Sequence, residues 1–362
     1  MSEDDNPLLE ATTALVPPLL TAIDVLAHAG RHMHPPNLPQ LVEELTPYRE
    51  PLKQGYEQFN EVQWPEHLQG FAAQISKSSS LALQSFNDFL SAPNQSNATM
   101  AAYRAMGYNT KATEALYPIA QMLPPVNRYF FEAQHREDSQ LLEKMANADA
   151  QKEGVGVMHA ANTSDERGGF SIYVPEYYND EPMPLVLALH GGSGHGRSFL
   201  WTWLRAARTF GAIVISPTSH EGTWSLMGPD IDSPNLDRMV AYAQEHWQID
   251  SSKILLTGMS DGGTFSYVSG LREDSPVTHL APSSASFHPM LVEMADPGRI
   301  KDMPIYLMHG VLDWMFPVDV AQMARDTFTA AGANVVYREI EDLSHTYPVE
   351  ENPKILAWLK GE

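Results

Sequence analysis

The second part of the chain alternates short apolar runs with stretches of helical periodicity, and this pattern restricts the fold more than any other feature. The helical stretches are 198–210, 236–247, 264–271, 318–331 and 353–359. The apolar runs are 155–159, 170–174, 185–190, 212–216, 254–258, 279–286, 305–309 and 335–340. Such alternation predicts a mostly parallel, eight-stranded sheet with helices on both faces. The first two runs are close enough to form an antiparallel hairpin at one edge.

The first 150 residues have a different pattern, with helical periodicity and little strand-like alternation. The predicted helices are 8–28, 38–62, 66–90, 98–123 and 128–148. We therefore predict a helical domain at 1–150 and an α/β domain at 151–362. The helices could cap a pocket, form a homo-oligomer interface or make a separate binding module. A cap or packed accessory domain is the favoured interpretation.

Composition excludes several classes of function. The net charge of −22 repels phosphates, so neither nucleic acid nor an anionic membrane surface is an expected partner. The absence of cysteine excludes a disulfide scaffold, a thiolate nucleophile and a cysteine-based zinc site. The acidic start, MSEDDNPLLE, lacks the basic region of a secretory signal, and no strict apolar run of about 18 residues occurs. A cytoplasmic protein without membrane insertion is expected.

A candidate nucleophile follows the fifth apolar run. Gly258-Met-Ser-Asp-Gly262 has the pattern G-x-S-x-G between a predicted strand and a predicted helix. A sharp turn there would project the Ser260 hydroxyl above the sheet, and the flanking glycines would let the backbone pass without clashes. The alternative is a glycine-rich turn with an incidental serine.

Serine needs a nearby base, and the base needs an orienting group. Asp313 follows the run at 305–309, and His345 follows the run at 335–340. The helical stretch 318–331 supplies the crossover between them. Asp319 falls inside that helix, and Glu341 and Asp342 precede the histidine too closely to face it easily. We therefore predict Ser260 as nucleophile, His345 as general base and Asp313 as the acid that orients the histidine.

Two backbone N–H groups are needed to stabilise the oxyanion of acyl transfer. The strand at 185–190 is followed by Gly191-Gly-Ser-Gly194. The expected donors are Gly192 and Asp261, with Gly191 a less favoured choice than Gly192. A phosphate-binding loop is discounted because the GK[ST] ending is missing.

Two tryptophans are candidates for the substrate pocket. Trp224 follows the fourth run and would line the pocket or pack under a loop, whereas Trp314 lies beside Asp313 in sequence. His195 and His220 are loop histidines for which a solvated position is the favoured interpretation. No group of residues has metal-ligand spacing, so neither a metal nor another cofactor is expected.

Three segments resemble known esterases: Leu189-His-Gly-Gly-Ser-Gly194, Gly258-Met-Ser-Asp-Gly-Gly263 and His309-Gly-Val-Leu-Asp-Trp-Met-Phe-Pro317. They resemble the bacterial phospholipase/carboxylesterase family and are similar to the polyhydroxybutyrate depolymerase and feruloyl-esterase-like group. The resemblance begins near residue 168 and leaves the first 150 residues unmatched. It implies the α/β-hydrolase fold and metal-free hydrolysis of short- to medium-chain carboxylic esters. It also assigns Ser260, Asp313 and His345 to the triad, and Gly192 and Asp261 to the oxyanion hole.

Several other functions share these motifs. A thioesterase, a feruloyl or polyester esterase and a peptidase use the same triad. A peptidase usually has a charged anchor for the substrate amine, and no such anchor is identified in the sequence. A depolymerase that acts on solid polymer is normally secreted. A rival from another class is a non-catalytic binding protein with the hydrolase fold.

Overall fold

The computed structural model of the protein describes residues 5–149 and 152–362. The chain forms two compact units, Met1–Arg136 and Glu137–Glu362. The domain boundary expected between residues 150 and 151 lies outside the described residues. The division by tertiary contacts comes earlier in the chain, because the short helix Ser139–Asn147 groups with the second unit.

The first unit is helical, as predicted. Its core contains buried apolar side chains from each of the four long helices, including Leu15, Leu45, Phe86 and Ala105. Short 3₁₀ turns join several of the helices. The helices are α1 (Asp5–Arg31), α2 (Leu38–Glu61), α3 (Gln69–Ser91), α4 (Ala98–Leu116) and α5 (Pro124–Tyr129).

The continuous helix predicted at 128–148 is wrong. After α5, the chain forms a 3₁₀ turn at Ala133–His135 and then a new helix, α6 (Ser139–Asn147). The carboxylate of Asp138 accepts hydrogen bonds from the backbone N–H groups of Gln140 and Leu141 at 2.9 and 3.1 Å. This N-cap satisfies amides that a continuous helix would have bonded internally, so it starts a separate helix.

One helix among the described residues, Pro7–Arg31, is long and apolar enough to cross a membrane, with a mean hydropathy of 1.4 over its best window. This finding differs from the expectation that no stretch qualifies, because a mean tolerates the Thr and Asp residues that a strict apolar run excludes. A buried core helix or a signal sequence meets the same criterion. Here Leu15, Leu19 and Leu26 are fully buried in the core of the first unit.

The second unit contains one eight-stranded sheet in the order β1-β2-β4-β3-β5-β6-β7-β8. The pairs β1–β2 and β2–β4 are antiparallel and the remaining pairs are parallel, which confirms the predicted sheet and its edge hairpin. The strands are β1 (Gly156–Ala160), β2 (Phe170–Val174), β3 (Met183–Leu189), β4 (Ile213–Pro217), β5 (Ile249–Met259), β6 (His279–Ser283), β7 (Pro304–Gly310) and β8 (Asn334–Ile340).

Helices connect these strands, and five of them were predicted. Two short helices, Met290–Met294 and Pro297–Ile300, were not predicted, since each is too short to show a periodic pattern. The helices are α7 (Gly196–Phe210), α8 (Ser233–His246), α9 (Asp261–Gly270), α10 (Met290–Met294), α11 (Pro297–Ile300), α12 (Val318–Ala330) and α13 (Asn352–Lys360).

The parallel strands fix where chemistry can occur. The side chains of β3 and β7 are buried almost throughout, and those of β5 are buried from Ile254 to Gly258, as expected for strands covered on both faces. Segments that follow the carboxyl ends of parallel strands meet at one edge of the sheet. The glycine loop after β3, Ser260 after β5, Asp313 after β7 and His345 after β8 all lie at this edge.

Candidate active site

Ser260 occupies a sharp turn between β5 and α9. Its backbone has φ 55° and ψ −118°, a conformation that is strained for a residue with a side chain. The turn is held by a hydrogen bond from the Ser260 N–H to the carbonyl of Ser283 at 2.9 Å. The flanking glycines are sterically required, since a Cβ on Gly258 or Gly262 would lie about 2.5 Å from backbone atoms. The strain therefore sits where the nucleophile was predicted.

The three predicted triad residues are joined by hydrogen bonds. His345 Nε2 lies 3.0 Å from Ser260 Oγ, and His345 Nδ1 lies 3.0 and 2.9 Å from the two carboxylate oxygens of Asp313. With Nδ1 protonated, the imidazole donates to Asp313 and accepts the serine hydroxyl through Nε2. All three residues are buried, with exposures of 6–8%. The arrangement has the distances that proton transfer from serine to histidine requires.

The carboxylate of Asp313 is held by its own loop. Its Oδ1 accepts the backbone N–H groups of Met315 and Phe316, both at 2.9 Å. Burial disfavours the charged form, but the hydrogen bonds from His345 and from these amides outweigh it, so the pKa of Asp313 lies below its usual value. The acid therefore stays ionised next to the histidine.

A buried histidine that sequence reasoning missed closes the same loop. His309, within β7, donates from Nε2 to the carbonyl of Phe316 at 2.8 Å. Burial lowers its pKa, which favours a neutral ring. The sequence signal was the pair His309-Gly310 at the end of a strand, which repeats the pair His190-Gly191 after β3.

The glycine loop after β3 lies against the nucleophile turn. A Cβ on Gly191 would lie 3.6 Å from Ser260 Cβ, and one on Gly192 would lie only 2.6 Å from Asp261 Oδ2. The N–H of Ser193 donates to the carbonyl of Gly222 at 2.8 Å, and the N–H of Gly194 donates to the carbonyl of Gly191 at 2.9 Å. Within 5–149 and 152–362, the N–H groups of Gly192 and Asp261 have no protein acceptor. They are thus free to bind an oxyanion, as the predicted role requires.

His190 holds the glycine loop in place. Its Nδ1 donates to the carbonyl of Gly191 at 2.7 Å, and its Nε2 accepts the backbone N–H of Ser219 at 3.1 Å. Burial lowers the pKa of His190 to about 4 from an ordinary value of 6.5. The second hydrogen bond needs a neutral ring, since a protonated Nε2 cannot accept.

This arrangement predicts a specific loss of stability in acid. Between pH 6.5 and about 4 the unfolded state binds a proton at His190 that the folded state does not, so stability falls with falling pH. The shift corresponds to about 3 kcal/mol of unfolding free energy. We expect wild type to lose that much more than His190→Asn over this interval in denaturant titrations. Equal pH dependence of the two proteins would contradict the role given to this ring.

The two predicted pocket tryptophans have different environments. Trp224 is 3% exposed, stacks on Phe265 with ring centroids 5.4 Å apart, and donates from Nε1 to the carbonyl of His190 at 2.8 Å. It therefore packs beneath the glycine loop, which is the second of the two placements considered for it. Trp314 is 46% exposed, and its ring lies 6.4 Å from that of His345, at the rim of the site.

The two loop histidines make structural hydrogen bonds. His195 caps α7 by accepting the N–H of Arg197 at 3.1 Å. His220 contacts the buried carboxylate of Asp232 through Nδ1 at 2.9 Å. Neither interaction involves the triad.

Comparisons with known proteins find similarities over part of the chain. The family model described as Phospholipase/Carboxylesterase matches residues 230–361. A bifunctional acetylxylan esterase/xylanase from Neocallimastix patriciarum is 25% identical over 206 residues, which cover 54% of this chain and 29% of that protein. This chain thus spans less than a third of that relative.

Solved structures of similar proteins include esterases. A thermostable esterase has 20% identity and a TM-score of 0.47, over 57% of this chain and 62% of that one. A fluorophosphonate-binding serine hydrolase from Staphylococcus aureus, with substrate bound, has 14% identity and a TM-score of 0.46, over 56% of this chain and 96% of that one. The second unit thus has the predicted sheet, and within it residues 230–361 are similar to the phospholipase/carboxylesterase family.

Proposed function

We propose that this protein is a serine carboxylesterase that hydrolyses short- to medium-chain carboxylic esters through an acyl-enzyme on Ser260. The observation that carries the proposal is the continuous hydrogen-bonded chain from Asp313 through His345 to Ser260. It lies at the carboxyl edge of the sheet, beside two free backbone N–H groups. This combination supplies a nucleophile, a base and a site for negative charge.

Acylation begins when the ester carbonyl oxygen lies between the N–H groups of Gly192 and Asp261. Ser260 Oγ attacks the carbonyl carbon while His345 Nε2 takes the hydroxyl proton. The two N–H groups stabilise the tetrahedral oxyanion. When the intermediate collapses, the bond from the carbonyl carbon to the alcohol oxygen breaks. His345 then gives the proton to the departing alkoxide.

Deacylation repeats these steps with water. His345 removes a proton from water as the water oxygen attacks the acyl carbon, and the proton passes to Ser260 as the acid leaves. Whenever His345 holds the proton, the imidazolium is stabilised by the charged carboxylate of Asp313. The lowered pKa of Asp313 fits this role, because the group stays ionised when the histidine is protonated.

Other triad chemistries fit the same geometry. Thioesters, feruloyl esters, polyesters and peptides are attacked by the same groups. The similarity to the acetylxylan esterase/xylanase from Neocallimastix patriciarum favours acetyl esters of carbohydrate as a second candidate substrate. A non-catalytic binding protein with this fold would bind esters without turnover.

The first test is hydrolysis of p-nitrophenyl esters from acetate to palmitate, with acetylated xylan as a further substrate. We expect turnover of the shorter esters by wild type and its loss in Ser260→Ala. A fluorophosphonate probe should label wild type and leave Ser260→Ala unlabelled, while an unchanged unfolding midpoint confirms that the variant is folded. Wild-type protein that turns over none of these esters would contradict the proposed function.

A further inference from the structure

The catalytic cycle uses the backbone N–H of Asp261 and leaves its carboxylate without a role. Its Oδ2 accepts the hydroxyl of Thr223 at 2.5 Å, and it would lie only 2.6 Å from a Cβ on Gly192. The carboxylate is therefore packed against the second oxyanion donor.

The described residues pair no cation with this carboxylate. Within the described parts of the chain, Asp261 forms no ion pair, and Thr223 supplies the one hydrogen bond to its carboxylate. Arg167, which contacts the glycine loop, donates to the carbonyls of Gly194 and Ser219 instead. Asp261 is partly buried, and its Oδ1 is not among the fully buried side-chain atoms that lack a hydrogen-bond partner, so this oxygen keeps some contact with solvent.

The surroundings add to the negative potential. Glu221 and Asp230 are exposed on the loop after β4 that also carries Thr223. The whole chain has a net charge of −22. A field of this sign attracts cations to a cleft and repels anions from it.

An unpaired carboxylate at this position opposes the reaction of a neutral ester. Covalent geometry keeps the carboxylate within about 5 Å of its own N–H, so it lies roughly 4–7 Å from the oxyanion bound there. Two like charges at that distance in a partly buried site repel appreciably. A cationic group on the substrate would remove the penalty and gain an ion pair.

We propose that Asp261 selects esters that carry an ammonium group on the carbon next to the carbonyl, as in α-aminoacyl esters. The inference rests on the proposed esterase function and narrows its substrate class. Such an ammonium lies beside the carbonyl oxygen, so the oxyanion hole brings it to the free Oδ1 of Asp261. Asp261 then serves as the charged amine anchor that the sequence alone did not reveal.

The test compares two nearly isosteric substrates, the benzyl esters of alanine and isobutyric acid, below about pH 7, where the amine is protonated. Wild type should prefer the alanine ester. Asp261→Asn keeps the backbone N–H and an acceptor for Thr223 but loses the charge. We expect its ratio of kcat/KM values, alanine ester over isobutyrate ester, to fall about tenfold or more, mainly through KM.

Two controls separate a local charge effect from other causes. Glu245→Gln, on the exposed face of α8, makes the same change in net charge and should leave the ratio unchanged. In wild type itself, added salt should shrink the preference for the alanine ester, because screening weakens the ion pair. The net charge of −22 would give the same salt dependence, so the salt series tests whether the preference is electrostatic, and Asp261→Asn assigns it to this carboxylate. If Asp261→Asn fails to fold, Asp261→Ser gives the same comparison.

The outcomes distinguish this proposal from the proposed function. A ratio that is insensitive to salt, or that Asp261→Asn leaves unchanged while both esters lose rate equally, would overturn cation selection. Hydrolysis of the isobutyrate ester by wild type would still support the esterase. If wild type turned over neither ester, the esterase proposal would fail first and Asp261 would have no reaction to select for.

Discussion

His345→Ala is expected to lower kcat for an activated ester by about 10⁴- to 10⁶-fold, and Ser260→Ala to lower it by a similar factor. The imidazole removes the serine proton in one step and protonates the leaving group in the next, so neither residue works without the other. The double variant should therefore be no slower than either single variant. The measurement is the initial rate of p-nitrophenyl acetate hydrolysis, corrected for the uncatalysed reaction.

The residual rate of these variants is informative. The oxyanion hole and substrate binding remain, so some catalysis over water should persist. Asp313→Asn tests the third member of the triad separately. It preserves the shape of the acid but favours the wrong histidine tautomer, and we expect a loss of about 10⁴-fold. Losses in Ser260→Ala and His345→Ala that multiply in the double variant would show that the residues act independently, against the proposed mechanism.

The largest expected effect on stability comes from a buried ion pair in the second unit. Arg208 near the end of α7 is fully buried, and its Nε lies 3.2 Å from both carboxylate oxygens of Glu176. Tyr173 also donates to Glu176, at 2.8 Å. Arg208→Met would leave Glu176 buried without its cation, and we expect a loss of about 3–5 kcal/mol of unfolding free energy.

The effect is measured by denaturant titration of the full chain, with the loss of esterase activity used to monitor unfolding of the second unit. The double variant Arg208→Met/Glu176→Gln should recover most of the stability, because no uncompensated charge stays buried. The ion pair lies at one end of the strands of the sheet, and Ser260 lies at the other end. We therefore expect kcat of the folded single variant to stay near that of wild type. A loss below about 1 kcal/mol would contradict the prediction, since it would equal that of an exposed pair.

Much of the second unit could be predicted from sequence because its central strands are buried on both faces. Such strands appear as apolar runs, and their order along the chain alternates with helices. The triad prediction used the same pattern, since Ser260, Asp313 and His345 each follow a predicted strand. The strand before His345, β8, is only partly buried. The start of β5 was placed too late, at residue 254 rather than Ile249, because polar residues at 250–253 conceal a strand end.

Features that depend on where side chains point could not be predicted. Nothing in the local sequence says that Trp224 turns inward under the glycine loop, or that His190 and His309 bond to loop carbonyls. The break before α6 depends on one side-chain cap, Asp138, within a helical pattern. The position of the Asp261 carboxylate against Gly192 could not be predicted either, because it depends on two loops that are distant in sequence.

The position of the base also bears on folding kinetics. Ser260 lies in the centre of the sheet, whereas His345 follows β8, the edge strand, 85 residues further along the chain. Contacts between residues so far apart form late, since closing a long loop costs chain entropy before it gains any contact energy. In a refolding experiment, turnover would therefore return only after β8 had docked on β7. The rate at which activity recovers would therefore report the completion of the sheet and not the collapse of its core.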